Sequence, residues 1–297
     1  MTISIYGKVP KNLQDRLLIK SLFDDLTATY GNILVWQPFF EAISELIEDK
    51  SKLKTFNSKE EIKDSSKILL SLGGDGTMLD TVDYVLGTDI AVLGINLGHL
   101  GFLTTAGRND IKNIVKQTAN GNFTIEKRRL LQAEYSFDCT GRRYAVNEAC
   151  FLSTNRGSII DLEVFVNDKY VSTFSGDGLL IATPTGSTAY SMSAGGPIIT
   201  PESQCLCLTP IAPHNLTFRP VILSDDDVIK VKIPNSDNPC KMLMDGYSVF
   251  ERSDEYVIIR KAPYDWNLVR LEDQDFFLAI RNKLMWGQTP KRLSGNL

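Results

Sequence analysis

The segment Ser71-Leu72-Gly73-Gly74-Asp75-Gly76-Thr77 sets one carboxylate among three glycines, directly after the apolar run Ile68-Leu69-Leu70. A glycine-rich turn between a strand and a helix presents free backbone N–H groups, and the missing side chains let a phosphate come close to them. A carboxylate at such a place repels phosphates unless a cation bridges the two or the carboxylate does chemistry. Two tasks suit it: orienting an acceptor hydroxyl and taking its proton, or holding Mg²⁺ on the phosphates. A plain turn, in which Gly-Asp-Gly supplies positive φ angles, is the structural alternative. No G-x-x-x-x-G-K-[ST] occurs in the chain and the turn lacks G-x-G-x-x-G spacing. That excludes a P-loop nucleotidase and leaves a dinucleotide-binding dehydrogenase without support.

A second stretch, "SGDGLLIATPTGSTAYSMSAGGPI" (175–198), collects Thr183, Thr185, Gly186, Ser187, Thr188, Ala189, Ser191 and Ser193. Small and hydroxylated residues are poor material for a packed helix or strand. They suit a loop that lines a narrow polar slot with hydroxyls and amides, anchored at its ends by the apolar "LLIA" and "PII".

The elements around these stretches divide the chain in two. Up to about residue 125, strand-like and helix-like segments alternate. "TISIYG", "NILVW", Lys67–Leu72 and "DIAVLGIN" read as strands. One helix carries Leu13, Leu17, Leu18, Leu22, Phe23 and Leu26 on one side, a second opens with Pro38, and a third, after the glycine turn, carries Met78, Leu79, Val82, Val85 and Leu86. Such alternation predicts a parallel sheet flanked by helices. Beyond residue 125 short strands follow one another, with a hairpin turning at Asn167-Asp168. "DQDFFLAIRNKLMWG" restores helical spacing through Phe276, Phe277, Ile280 and Leu284, with Gly287 as the stop. The expected architecture is an α/β domain over 1–125, to which 268–297 returns as a helix, and a β-rich, sandwich-like domain over 126–267.

Bulk properties narrow the class. The chain has 297 residues, 43% hydrophobic and 23% charged, with net charge −4. This is ordinary for a soluble globular protein and lacks the broad basic surface that nucleic acid requires. No apolar run approaches the roughly 20 residues of a membrane span, and the N-terminus has no secretory pattern, so a cytoplasmic protein away from membranes is expected. Five cysteines without a C-x-x-C pair and two histidines argue against a disulfide framework and against a zinc or histidine-rich centre. No residue is assigned as a metal ligand.

Taken together, "GGDGT" (73–77), "GINLGHLGFL" (94–103), "NE" (147–148), "GDGLLIATPTGSTAYSMSAGGP" (176–197) and "PHNLTFRPVIL" (213–223) resemble the NAD kinase family, in family order and spacing. The glycine turn by itself is shared with diacylglycerol kinases, sphingosine kinases and phosphofructokinases, whereas "TPTGSTAYSMSAGGP" is specific. The resemblance implies a Rossmann-like α/β domain followed by a β domain, with the active site between them. It also implies phosphoryl transfer from ATP to the 2′-hydroxyl of the adenosine ribose of NAD, giving NADP. A divalent cation, normally Mg²⁺, would assist, and a homo-oligomer, dimer or tetramer, is implied.

Carried over residue by residue, Asp75 matches the family's catalytic base. Gly73, Gly74, Gly76 and Thr77 match the phosphate-binding turn. Asp75, Gly76, Phe102, Asn147, Glu148, Asp177, Thr188, Ala189, Tyr190, Ser191, Met192 and Ser193 match positions that bind NAD. His99 and His214 are expected to be structural, and Asp245 and Tyr247 are weaker ligand candidates. Two rivals share parts of the pattern. A lipid kinase would need an apolar acceptor pocket, against which the hydroxyl-rich loop argues, and a dinucleotide sensor would bind NAD without transfer.

Overall fold

The computed structural model describes residues 2–97, 101–104, 111–155, 157–235, 237–271 and 276–287. His99 lies outside them. The chain forms two units, Met1–Glu126 with Asn267–Leu297, and Lys127–Trp266.

In the first unit β1 (Thr2–Gly7), β2 (Asn32–Trp36), β3 (Leu53–Phe56), β4 (Ile68–Leu72) and β5 (Ala91–Ile95) form a parallel array in the order β3-β2-β1-β4-β5. Every residue of β4 and β5 is buried, because helices cover both faces of a parallel sheet. The order reverses between β1 and β4: the chain winds from β1 towards β2 on one side and from β4 towards β5 on the other. That reversal opens a crevice at the carboxyl ends of the two strands.

Helix α1 (Leu13–Thr29) starts where the Asn12 side chain accepts from the Asp15 amide at 2.9 Å. It buries Ile19, Leu22, Phe23 and Leu26, but Leu13 and Leu17 are 70% and 60% exposed. At about 100° per residue those two leucines lie across the helix from the buried stripe, so the expected six-residue face was too wide. Helix α2 (Gln37–Ile43) is short and runs into a 3₁₀ turn at Ser44–Leu46. The helix expected after the glycine turn is two pieces, α3 (Asp75–Asp80) and α4 (Val82–Val85), parted at Thr81, whose hydroxyl donates to the Met78 carbonyl at 2.6 Å. A hydroxyl bonded back onto the preceding turn bends helices at such points. Helix α5 (Ile111–Asn120), absent from the sequence reading, meets α1 through the Tyr30 hydroxyl and Thr118, 2.9 Å apart.

Strand β6 (Thr124–Tyr135) leads into the second unit, which continues with β7 (Tyr144–Ala145), β8 (Glu148–Ser153), β9 (Ile160–Val166), β10 (Lys169–Gly176) and β11 (Gly178–Ala182). After α6 (Tyr190–Ser193) follow β12 (Cys205–Ile211), β13 (Val221–Ser224), β14 (Ile229–Ile233), β15 (Cys240–Met244), β16 (Tyr247–Arg252) and β17 (Glu255–Arg270). One antiparallel sheet has the order β13-β12-β11-β8-β15-β16, and the other pairs β10-β9-β14-β17. Alternate residues of both, among them Phe151, Leu162, Val164, Ile181, Leu208, Val231, Met242 and Val257, bury into one core. This is the sandwich that period-two patterning demands. The β9–β10 hairpin turns at Asn167 and Asp168 with φ of 50° and 62°, as expected for a tight two-residue turn.

The end of β17 belongs to the first unit, where Leu268 pairs with Val92 of β5. Helix α7 (Phe276–Leu284) packs in the same unit, with Lys283 against Asp75 and Phe102. Of its expected apolar stripe only Ile280 is buried.

Candidate functional site

The glycine turn sits at the carboxyl end of β4, with Gly74 capping α3 and Asp75 opening it. The Asp75 carboxylate is held through both oxygens. Its Oδ1 accepts from the amides of Leu103 (3.2 Å) and Thr104 (3.0 Å) and from the Thr104 hydroxyl (3.0 Å), while Oδ2 accepts from the Phe102 amide (2.8 Å). Asn96 supports the same turn by donating to the Thr104 hydroxyl at 3.0 Å. A Cβ at Gly101 would stand 1.6 Å from Asp75 Oδ1, so glycine is required there for the carboxylate to reach the turn. Gly74 and Gly76 are different. Neither has positive φ, and a Cβ at either would meet nothing within 4 Å. The reading of this turn as a supplier of positive φ therefore fails at both flanking glycines. The fold would accept alanine at these positions, and their exposure leaves the backbone open to close approach.

Beside the turn, in the crevice between β1 and β4, lies a cavity of about 310 Å³ lined by Lys8, Lys11, Asn12, Gly73, Gly74, Thr77 and Asn96, among others. Lys8 also pairs with Asp80 at 3.3 Å. Asp15 also lines this cavity, so two ammonium groups stand against one carboxylate beside the glycine turn at the reversal of strand order, a balance suited to an anion. None of Lys8, Lys11, Asn12 and Asn96 was singled out from sequence.

In the second unit Asn147 and Glu148 stand at the start of β8, held there by Asp245. Its buried carboxylate accepts from the amides of Val146 (2.7 Å), Asn147 (2.7 Å) and Glu148 (3.1 Å). Asp245 occupies the β15–β16 turn with φ 51°, followed by Gly246 at 81°. It is a clamp on the Asn147–Glu148 backbone, and the Asp-Gly hairpin signal is what could have placed it. Tyr247 lies under the Arg142 guanidinium, 4.2 Å from ring centroid to carbon.

The loop from 183 to 193 folds over the same strand end. A Cβ at Gly186 would lie 2.0 Å from the Asn147 carbonyl oxygen, so glycine permits this contact. The loop forms a 3₁₀ turn at Thr185–Thr188 and then α6. The hydroxyls of Thr183, Ser187 and Ser191 do not line an open slot, as the sequence suggested, but satisfy the protein's own backbone and side chains. Thr183 donates to the Val146 carbonyl at 2.5 Å, Ser187 to that of Pro184 at 2.7 Å, and Ser191 shares a 3.0 Å bond with Thr209. A buried hydroxyl must find a partner, and the nearest were internal. Thr188, Ala189 and Met192 remain half-buried, and Tyr190, Ser193 and Asp177 are exposed. His214 keeps its backbone amide on the Ser175 carbonyl at 2.8 Å.

Glu148 is 7% exposed, accepts from the Tyr190 amide, and has an Oε2 with no hydrogen-bond partner among the described residues. Burial, and secondarily the Asp245 carboxylate, push it from the ordinary 4.5 up to about 8. An orphaned, buried carboxyl oxygen is the kind of group that a sugar hydroxyl satisfies.

Two family models match: the ATP-NAD kinase N-terminal domain over residues 37–123, and the ATP-NAD kinase C-terminal domain over 146–271. The chain belongs to the ATP-NAD kinase family. Among similar proteins, the NAD kinase of Flavobacterium psychrophilum is 35% identical, covering 97% of this chain and 99% of its own. That of Porphyromonas gingivalis strain W83 is 38% identical over 74% of this chain and 76% of its own. Yeast NADH kinase, solved with NADH, superposes with a TM-score of 0.87 at 26% identity, covering 99% of this chain and 90% of that one. An NAD kinase from Archaeoglobus fulgidus shares the fold, with a TM-score of 0.71 at 24% identity, covering 96% of this chain and 99% of that one. As the NAD kinase resemblance implies, an α/β unit with a parallel sheet precedes an antiparallel β unit.

The raised Glu148 has a consequence for stability. A carboxyl whose folded pKa exceeds its unfolded one binds more protons in the native state. Its contribution is full below pH 4.5 and is lost as pH rises towards 8. Glu148→Gln removes that dependence. Between pH 5.5 and 7.5 the variant should gain on the native protein with rising pH, by at most about 1.4 kcal/mol per pH unit. Melting curves of the two proteins across this range would check it, and parallel pH dependence would refute the assignment.

Proposed function

We propose that this chain transfers the terminal phosphoryl group of ATP to the 2′-hydroxyl of the adenosine ribose of NAD, giving NADP and ADP. The observation that carries this is the pairing of a fixed carboxylate, Asp75, with two flanking glycines that the fold itself does not require. Glycines of that kind serve close approach of a ligand to the backbone, and phosphates are the ligands that backbone amides hold best.

The residues act as follows. The phosphates of the donor lie on the amides of Gly74 and Gly76, beside Thr77 and Gly73, whose own amide is spent on the Ile95 carbonyl at 3.0 Å, with Lys8 and Lys11 balancing their charge from the cavity in the β1–β4 crevice. Asp75 takes the proton of the acceptor hydroxyl. Oδ1 already receives three hydrogen bonds and Oδ2 only one, so the oxygen with a lone pair to spare is Oδ2. Asn147 and Glu148 take NAD by ribose hydroxyls, Glu148 through its partnerless Oε2. Phe102, Asp177 and the 188–193 segment contribute the remaining contacts with NAD. Positioning and charge balance supply most of the acceleration, since the transferring group needs little covalent help.

Among the described residues no three His, Cys, Asp or Glu side chains gather into a metal cage. This donor set fits a cation that arrives on the nucleotide, as Mg²⁺ commonly does, with Asp75 in the turn and Asp15 in the cavity lining as the carboxylates beside it. When bound, the cation neutralises charge on the phosphates. On this reading residues 1–125 with 268–297 hold the donor and the base, and 126–267 bind NAD. The enzyme works as a cytoplasmic dimer or tetramer, and none of its described helices is long and apolar enough to cross a membrane.

The test is direct. The purified protein is incubated with NAD, ATP and Mg²⁺, and NADP is read by an NADP-specific dehydrogenase. NADP that forms only when both substrates are present supports the proposal; none, with other phosphoryl donors also tried, overturns it.

A further inference from the structure

Helix α7 ends beside the proposed base. Lys283, in its last turn, places its ammonium 4.0 Å from Asp75 Oδ2 and 4.1 Å from the centroid of the Phe102 ring. The distance to Oδ2 is too long for a hydrogen bond and short enough for an ion pair. The two contacts are linked, because the Phe102 amide is the donor to that same oxygen. Lys283 thus lies against Oδ2, the oxygen with a lone pair to spare, and against the ring of the residue whose amide donates to it. Its side chain is only 20% exposed, and burial pushes its pKa down against the opposing pull of Asp75. Lysines are costly to hold in such a place, and the carboxylate and the ring beside it offset part of that cost. Neither family model reaches this residue, since the second ends at 271.

We infer that Lys283 is the positioning residue of Asp75: from the carboxyl-terminal helix it holds Oδ2 and Phe102 in place and offsets the charge of phosphates drawn up to the carboxylate. This rests on the reading of Asp75 as the base. Phosphates that approach Asp75 add negative charge beside an anion, and a cation 4.0 Å away counters that repulsion without occupying the free lone pair. The lysine acts through Asp75, so its value depends on the carboxylate being there.

A double-mutant cycle tests this. Lys283→Met keeps the unbranched stem as far as the Cε position and removes the charge; Lys283→Arg keeps the charge. Full-length native protein, K283M, K283R, D75N and K283M/D75N are assayed for NADP formation and melted in parallel. The expected result is that K283M lowers kcat by about 10–30-fold with the KM for NAD within about threefold, and that K283R retains at least about a third of native kcat. In the D75N background the same K283M change should move kcat by less than about threefold, because its target is already gone. An equal fold-loss in both backgrounds, or native kcat in K283M, would overturn the inference. Should the native protein form no NADP, the proposed function falls on its own, and the melting cycle then decides the pair. Non-additive shifts in melting temperature support the Lys283–Asp75 coupling; additive shifts reject it.

Discussion

Replacing Asp75 with asparagine should lower the turnover of NADP formation by about two to four orders of magnitude, the usual range for a lost general base, and leave NAD affinity within a few-fold. The substitution is not silent in the fold, and the geometry says how. Three donors, the Leu103 and Thr104 amides and the Thr104 hydroxyl, converge on Oδ1, so an asparagine will set its carbonyl oxygen there. Its amide nitrogen then falls at the Oδ2 position and faces the Phe102 N–H, a donor against a donor. That mismatch costs about 1–3 kcal/mol and should lower the melting temperature by a few degrees. The protein remains folded at assay temperature, so the loss in kcat is separable from the loss in stability by measuring both. Binding of NAD, followed by titration, supplies the third reading. Turnover above about a tenth of native would mean that Asp75 fixes the 101–104 turn and does not carry the proton.

The same geometry explains what could and could not be read from the chain. The strands β4 and β5 were legible because every residue in them is buried, and a run that is apolar but for Ser71 has few other uses. The β9–β10 turn was legible because asparagine and aspartate tolerate the positive φ that a tight hairpin needs. Asp75 stood out because a charge among glycines demands a reason. What it does in the resting fold did not stand out, because its partners lie 27 to 29 residues further on and nothing local announces them. The clamp of Asp245 on Val146, Asn147 and Glu148 spans 97 to 99 residues and was hidden for the same reason. Lys283 is further away still. The hydroxyls of the 183–191 segment misled in another manner. A serine or threonine in a small-residue loop can face a ligand or satisfy its own backbone, and composition does not distinguish the two. Thr183 and Ser187 face inward because their loop packs on the end of β8 through Gly186. The α1 stripe failed on simple angle: Leu13 and Leu17 are four residues apart and share a face, but that face is opposite the one that packs.

Gly76→Ala should produce the second large effect, and of an unusual kind: a protein at least as stable as the native one that turns over about a hundredfold more slowly. Gly76 is the second residue of α3, has no positive φ, and would carry a Cβ with nothing within 4 Å of it. Alanine inside a helix is favoured over glycine by about 0.5–1 kcal/mol, so on the fold alone the change is a gain. A glycine that gives up this stability without relieving any contact is explained by what must approach it. A phosphate laid against the turn amides would meet the added methyl, and an ångström of displacement in a phosphoryl transfer costs about two orders of magnitude. Gly101→Ala provides the contrast. There a Cβ would enter Asp75 Oδ1 at 1.6 Å, so that variant should lose stability and activity together. Melting and turnover measured on both variants separate a glycine kept for the ligand from one kept for the fold. Native turnover in Gly76→Ala would remove the turn amides from the donor site and leave the cavity lysines, Lys8 and Lys11, as the groups that hold the phosphates.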